Sequence, residues 1–314
     1  MPLLATQLVA ALALAAGRPA ARRSSKACAR STILASAGAA ICAVDICTPD
    51  VRALASFYEE CLGMERSERA GCIEMGFAGG ATRLKLIEAP AAAFRVGAGF
   101  ESIALDLPDV GAAVAGVAAA GGTVILPPEQ CAVGPSKIPD EPVGTTHATL
   151  EALVSDPQGY RFRLIQRAGG ASRVAKVVLR VTDLELSRAF YAELLGMSVL
   201  RWRSNLMSTP PSTTLTMQIG DPAVLNGAPV LEEAESAPHA PAVLELIYTF
   251  DMRKTDAGEG GAGRLTLAAA GVHDIATRAP SALGTVVENA PGGTAALLRD
   301  PDGFEVRLVG THGV

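Results

Sequence analysis

The chain carries one short phrase twice, and this repeat constrains its fold more than any other feature. The stretch ASFYEECLGM (55–64) returns as RAFYAELLGM (188–197), at a constant offset of 133 residues. A second pair, DPQGYRFRLI (156–165) and DPDGFEVRLV (300–309), recurs later in the chain. Self-similarity of this kind indicates a tandem duplication. The predicted boundaries are lobe one at 39–168, a linker at 169–172 and lobe two at 173–311.

Length and hydrophobic content fit two globular lobes. The chain has 314 residues, of which 49% are hydrophobic and 19% are charged. A chain of this size buries enough apolar surface for two domains.

The first 38 residues have the composition of a targeting leader. An apolar run, MPLLATQLVAALALAAG, precedes a segment rich in Arg, Ser and Ala, and the first acidic residue of the chain is Asp45. This arrangement resembles the two-part plastid leaders of algae with secondary plastids. Import into a plastid is therefore predicted, with the mitochondrion as the alternative. The apolar run is too short and too rich in Ala for a membrane span, so we expect no integral span in the mature protein.

The remainder of the chain is acidic. The formal net charge is −5, and the leader holds five basic and no acidic residues, so the rest carries −10. A negatively charged body repels the phosphate backbone, and we expect no nucleic-acid partner.

The sequence predicts a strand, a helix and further strands, and this order occurs twice within each lobe. In lobe two a helix is predicted over 182–196, with Thr182 or Asp183 as its N-cap and a glycine at its end. The repeated phrase lies on this helix, where Phe190 and Leu194 have the spacing of one buried face. The phrase is therefore predicted to be core and not active site.

Alternation within the strands assigns the charged residues to one face of each sheet. In RLKLI, Leu84 and Leu86 take one face while Arg83 and Lys85 take the other. YRFRLI, KVVLRV and FEVRLV alternate in the same way. If such a face is cupped, its charges must be paired or must bind a ligand, because an isolated buried charge is strongly unfavourable.

These motifs and their order resemble the vicinal oxygen chelate superfamily, and most closely the double-length glyoxalase I proteins of plants. The motifs are FY…LGM, the strand VLELIY, the segment GAGFESIALDLPDV and the strand DPDGFEVRLV. The resemblance covers about 39–311. It implies an α+β fold of four βαβββ modules that form two glyoxalase-like lobes with cupped mixed sheets.

The resemblance also implies a chemistry. The family's lactoylglutathione lyases isomerise the hemithioacetal of methylglyoxal and glutathione through an enediolate held by Ni or Zn. Only Glu245 keeps a ligand type of the family, so we expect no metal cofactor and regard Glu245 as the remaining catalytic candidate. The family's ligand positions fall on Ala43, Lys85, Ser102 and Arg163 in lobe one, and on Lys176, Glu245, Arg264 and Arg307 in lobe two.

Two functions remain open at this point. The first is a glyoxalase I-like lyase that is degenerate at its metal site. The second is a metal-free protein of the same fold that binds a small molecule or anion, or that serves as a structural accessory to an organellar complex. In the second, Lys176, Arg264 and Arg307 surround Glu245 and replace the charge of the metal. The residues predicted to line the cups are Lys85, Ser102, Arg163, Lys176, Arg201, Arg264 and Arg307.

Overall fold

The structure is a computed structural model. Residues 1–37 of the predicted leader and residue 169 of the predicted linker lie outside the described residues, so both remain predictions. The described residues are 38–69, 71–132, 148–167, 170–205, 212–222, 240–282, 284–290 and 292–311.

No helix within these ranges is long and apolar enough to cross a membrane.

The first half of the chain forms two βαβββ modules. The first helix begins at Asp50, whose carboxylate accepts the N–H groups of Arg52 and Ala53, and it ends at Gly63, which has a φ of 67°. Module one consists of β1 (Ala40–Thr48), α1 (Val51–Leu62), β2 (Glu65–Arg69), β3 (Cys72–Gly76) and β4 (Arg83–Glu88). Module two consists of β5 (Phe100–Leu107), α2 (Val110–Ala119), β6 (Thr123–Ala132), β7 (Ala148–Ser155) and β8 (Arg161–Gln166).

The second half repeats this order. The helix predicted over 182–196 is present, capped by Asp183, but its second part has π-helical hydrogen bonding. Module three consists of β9 (Arg173–Arg180), α3 (Leu184–Arg188), a π-helical segment (Ala189–Leu194), β10 (Ser198–Ser204), β11 (Thr214–Gly220) and β12 (Val243–Thr249). Module four consists of β13 (Leu265–Ala269), α4 (Val272–Arg278), a 3-10 turn (Ala279–Ala282), β14 (Thr285–Asn289), β15 (Ala295–Arg299) and β16 (Glu305–Gly310).

The strands form two mixed sheets of eight strands, and the predicted α+β class is confirmed. Sheet I has the order β14-β15-β16-β13-β1-β4-β3-β2, and sheet II has the order β10-β11-β12-β9-β5-β8-β7-β6. The modules of each sheet meet through their first strands, since β1 pairs antiparallel with β13 and β5 pairs antiparallel with β9. Sheet I therefore combines modules one and four, and sheet II combines modules two and three.

This pairing corrects the arrangement expected from the sequence. We expected each cup to form within one lobe, but both sheets take one module from each half of the chain. All four modules share the same alternation of apolar and polar residues, so the pattern does not specify which modules pair. Modules one and two are joined through α1 and α2 instead, where a Cβ on Gly116 would lie 3.3 Å from the Cα of Cys61.

The apolar faces of both sheets and the helices belong to one hydrophobic core. The repeated phrase lies within it, because Phe57, Tyr58, Phe190 and Tyr191 are all buried. The prediction that the phrase is core is confirmed.

The two repeated motifs also bond to each other. Tyr58 Oη donates to Asp156 Oδ2 over 2.6 Å, and Tyr191 Oη donates to Asp300 Oδ2 over 2.8 Å. Each bond ties the helix of one module to the turn before the last strand of the next. Burial raises the pKa of Asp156 to about 6 and that of Asp300 to about 7, although the tyrosine and backbone donors favour the charged form.

We expect the free energy of unfolding to fall as the pH rises from about 4 to about 7. Asp156 and Asp300 hold a proton more tightly in the folded chain than at their ordinary pKa of 3.8. The stability that this provides is complete at low pH and is lost as the pH rises through the folded pKa. One pKa unit corresponds to about 1.4 kcal/mol, so Asp300 alone accounts for on the order of 4 kcal/mol.

Urea unfolding at about pH 4 and about pH 8 measures this loss. Asp300→Asn has no proton to lose at this position, so its stability should depend less on pH than that of the parent. Both proteins share every other titrating group, which isolates Asp300. An identical pH dependence in parent and variant would contradict the raised pKa.

Candidate functional site

The polar faces of both sheets are largely removed from solvent. Asp45 and Glu245 are each 1% exposed, Ser102 is fully buried, and Lys176 is 7% exposed. Charged side chains on a flat, open face would remain in water. The burial therefore indicates that both polar faces are cupped.

On sheet II, Glu245 lies at the centre of the polar face. Its Oε2 accepts hydrogen bonds from Lys176 Nζ at 3.1 Å and from Gln218 Nε2 at 2.7 Å. Its Oε1 lies 3.8 Å from Arg163 Nη1. The pairing of β11 with β12 sets Gln218 directly opposite Glu245, and Arg201 is opposite Gln218 on the next strand. A row of polar residues therefore crosses sheet II.

The same face of sheet II holds a second ion pair. Arg180 Nε donates to Glu101 Oε2, and Arg161 Nη1 lies 3.8 Å from Glu101 Oε1. Burial opposes ionisation of Glu101, but the hydrogen bond from Arg180 and the positive charges of Arg180, Arg161 and Arg163 outweigh it and lower the pKa. Ser102, on the neighbouring position, has a buried Oγ with no hydrogen-bond partner in the described part of the chain.

On sheet I, Asp45 takes the central place. Its backbone N–H donates to the carbonyl of Arg264, and its carbonyl accepts from the N–H of Gly263, both over 2.9 Å. These bonds hold Asp45 beside Arg264, whose Nη1 lies 3.4 Å from Asp45 Oδ2. The other carboxylate oxygen, Oδ1, is buried and has no hydrogen-bond partner among the described residues.

Three cations surround this carboxylate. Lys85 is the strand neighbour of Asp45 on β4, and Arg307 is paired with Thr266 on β13. Burial raises the pKa of Asp45, and the charges of Arg307, Arg264 and Lys85 oppose that rise. The side chains of Lys85 and Arg307 are half-buried, and within the described ranges neither forms a hydrogen bond or an ion pair.

Arg264 also belongs to a partly buried ion-pair cluster beside strands β13 and β16 of sheet I. Its Nε and Nη2 donate to Glu305 Oε2 over 2.9 and 2.6 Å, and Arg299 Nη2 lies 3.1 Å from Glu305 Oε1. Burial opposes the charge of Glu305, but these two arginines lower its pKa. A cavity of about 320 Å³ opens here, lined by the glycine-rich loop 257–263 together with Arg264, Arg299 and residues 303–305.

The predicted cup residues divide between the two sheets. The prediction that Lys176, Arg264 and Arg307 surround Glu245 is wrong for both arginines, because module four pairs with module one. Whether the predicted residues bind a ligand stays a prediction. Ser102, Arg163, Lys176, Arg201 and Glu245 lie on sheet II, and Ala43, Lys85, Arg264 and Arg307 lie on sheet I or directly before its strand β13.

Sequence reasoning missed one buried polar residue on each sheet, Asp45 on sheet I and Gln218 on sheet II. Asp45 lies two residues after Ala43 on β1, and alternation alone places both on the polar face. Gln218 likewise lies on the polar face of TLTMQIG. A charged residue within the apolar run AICAVDIC was the available signal for Asp45.

The donor set does not fit the metal that the family resemblance implies. The four positions on sheet I hold Ala, Lys, Arg and Arg, and those on sheet II hold Ser, Arg, Lys and Glu. The described residues contain no group of three or more His, Cys, Asp or Glu that could hold a metal. Glu245 Oε2 already accepts two hydrogen bonds, one of them from a cation that repels a metal ion. No metal-dependent step follows from these residues.

The chain is similar to known glyoxalases. The family described as "Glyoxalase/Bleomycin resistance protein/Dioxygenase superfamily" matches residues 40–164. The lactoylglutathione lyase of Salmonella typhimurium is 30% identical over 142 residues, which are 44% of this chain and 91% of that protein. A protein of Arabidopsis thaliana named "Probable lactoylglutathione lyase, chloroplastic" is 35% identical over 112 residues, 36% of this chain and 28% of that protein.

The chain covers between 28% and 64% of the length of the plant relatives that it matches first. Among solved structures, glyoxalase I of Zea mays is 24% identical and has a TM-score of 0.65, with 87% of this chain and 93% of that chain covered. This likeness supports the same double-length fold. The match along nearly all of a single-length lyase, together with the shared fold, shows that the chain belongs to the glyoxalase/bleomycin resistance protein/dioxygenase superfamily.

Proposed function

We propose that this chain is a metal-free member of its family that binds a small organic anion on the polar face of sheet I. The observation that supports the proposal is the set of three cations around Asp45. Lys85, Arg264 and Arg307 stand at three of the family's four ligand positions on this sheet. Lysine and arginine side chains therefore occupy positions at which the family has the ligands of a metal cation.

Two of the three cations on this face can still bind an anion, although Glu74 lies opposite Lys85 on β3. Asp45 shares Arg264 with Glu305, while Lys85 and Arg307 have neither a hydrogen bond nor an ion pair within the described residues. A bound carboxylate would give both cations a charge-assisted hydrogen bond. Arg307 can hold a carboxylate through two parallel N–H groups, and Lys85 contributes a point charge.

Acetate is expected to stabilise the full chain against thermal unfolding, because a ligand that binds only the folded state adds stability. Arg307→Gln should abolish the shift in Tm. Arg161→Gln, on the polar face of sheet II, removes one positive charge elsewhere and should retain it. An equal acetate response in the parent and in Arg307→Gln would contradict the proposal. Chloride at the same ionic strength controls for general screening.

A second candidate function is the lactoylglutathione lyase reaction, favoured by the names of the relatives. Turnover of the methylglyoxal–glutathione hemithioacetal by the full chain would support it. In that case Glu245 is the carboxylate at a family position, and Glu245→Gln should abolish the turnover.

We further propose that the chain acts in a plastid. The acid-free leader predicted at 1–38 supports this location, as does the word chloroplastic in the name of the Arabidopsis relative. A fluorescent fusion of the full chain in a plastid-bearing cell tests it, and a mitochondrial signal would favour the alternative.

A further inference from the structure

The buried oxygen of Asp45 restricts what anion sheet I can accept. Oδ1 is buried and has no hydrogen-bond donor in the described part of the chain, although a donorless carboxylate oxygen is unfavourable in a protein interior. A simple carboxylate ligand would satisfy Lys85 and Arg307 and would leave this oxygen without a donor.

We infer that the ligand of sheet I is a small 2-hydroxycarboxylate, whose carboxylate binds Lys85 and Arg307 while its hydroxyl donates a hydrogen bond to Asp45 Oδ1. The inference rests on the proposed anion-binding function and adds the class of ligand. A hydroxyl on the carbon next to the carboxylate places a donor beside the anionic group. One ligand then provides hydrogen-bond partners for both cations and for the buried acceptor.

An amino acid is the competing ligand, because its ammonium group could also donate to Asp45. Its positive charge would, however, lie among Lys85, Arg264 and Arg307. Like charges at short range in a cup of low solvent access repel strongly. A neutral hydroxyl can donate a hydrogen bond to Asp45 Oδ1 without this repulsion.

The ligand reaches Oδ1 only if neighbouring side chains move, since Asp45 is 1% exposed. Lys85 and Arg307 are half-buried, and the described residues offer them no hydrogen bond or ion pair that such a movement would break. The position that matches Asp45 in the repeat is Val178, so sheet II has no carboxylate at this place. The buried acceptors without a donor that the described part of sheet II holds, Gln218 Oε1 and Ser102 Oγ, are neutral. The inference therefore applies to sheet I alone.

Calorimetric titration of the full chain with glycolate, acetate and glycine tests the inference, because the three probes differ only in the group next to the carboxylate. Glycolate should bind about tenfold more tightly than acetate, the gain that one hydrogen bond to a charged group provides. Glycine should bind more weakly than glycolate. Asp45→Val introduces the residue found at the matching position of the repeat and removes the acceptor, so it should bring the glycolate and acetate affinities together. Arg161→Gln should leave their ratio unchanged.

The outcomes separate the two proposals. If acetate binds as tightly as glycolate and Arg307→Gln abolishes both, the anion site stands and the hydroxycarboxylate inference is overturned. Glycine binding more tightly than glycolate also overturns it, in favour of an amino acid. If the parent binds none of the three probes, the proposed function and the inference both fail.

Discussion

Glu245→Leu is expected to lower the free energy of unfolding by about 3–5 kcal/mol, the usual result of removing one partner of a buried ion pair. Glu245 is 1% exposed and Lys176 is 7% exposed, and their charged atoms are 3.1 Å apart. The variant removes the carboxylate that accepts hydrogen bonds from the Lys176 ammonium and from Gln218. Urea unfolding at neutral pH measures the change.

A double-mutant cycle separates the ion pair from general disruption of the core. Lys176→Met alone leaves the Glu245 carboxylate buried without the Lys176 ammonium, so it should also be strongly destabilising. The double variant, with both charges replaced by apolar side chains, should lose clearly less than the sum of the two single losses. Additivity of the two losses to within about 0.5 kcal/mol would show that the pair is not coupled.

Gly97→Ala is expected to lower the free energy of unfolding by about 3 kcal/mol, because the new methyl group meets backbone that cannot move aside easily. A Cβ at Gly97 would lie 2.1 Å from the backbone N of Gly258 and 2.2 Å from the carbonyl oxygen of Asp256. These loops lead into β5 and β13, and they are joined by backbone hydrogen bonds between Arg95 and Glu259. The substitution forces apart the two loops that precede the central strands of the sheets.

Gly111→Ala is the matched control for this prediction. Gly111 is an exposed position on α2, and its Cβ would meet only the Asp109 side chain, at 3.4 Å. Alanine is the better helix former by roughly 0.5–1 kcal/mol, so the control should be neutral or slightly stabilised. A loss at Gly97 no larger than the change at Gly111 would mean that the two loops are not in close contact.

Local structure was predictable because its causes are local. Asp50 and Asp183 cap their helices through their own carboxylates, and each helix ends near a glycine. A few neighbouring residues therefore determine both ends of each helix. Alternation likewise assigned Leu84 and Lys85 to opposite faces, and their burial agrees. The repeat then implied two lobes, and the family resemblance implied four modules of one type.

The pairing of modules was not predictable in this way, because it depends on contacts between distant parts of the chain. β1 meets β13 more than 200 residues away, and the loops at Gly97 and Gly258 that accompany this crossing do not specify which strands pair. The error in pairing placed Arg264 and Arg307 beside Glu245. With the observed pairing they join Lys85 around Asp45, which makes Asp45 the centre of the candidate site.

Equilibrium dialysis of the full chain against Ni²⁺ and Zn²⁺, followed by elemental analysis, tests most directly whether the family's ligand positions have lost their metal. The parent should retain no more metal than Glu245→Gln, because cations stand at five of the eight ligand positions and Glu245 already accepts hydrogen bonds. Retention of about one equivalent of metal by the parent, lost in Glu245→Gln, would contradict a metal-free site.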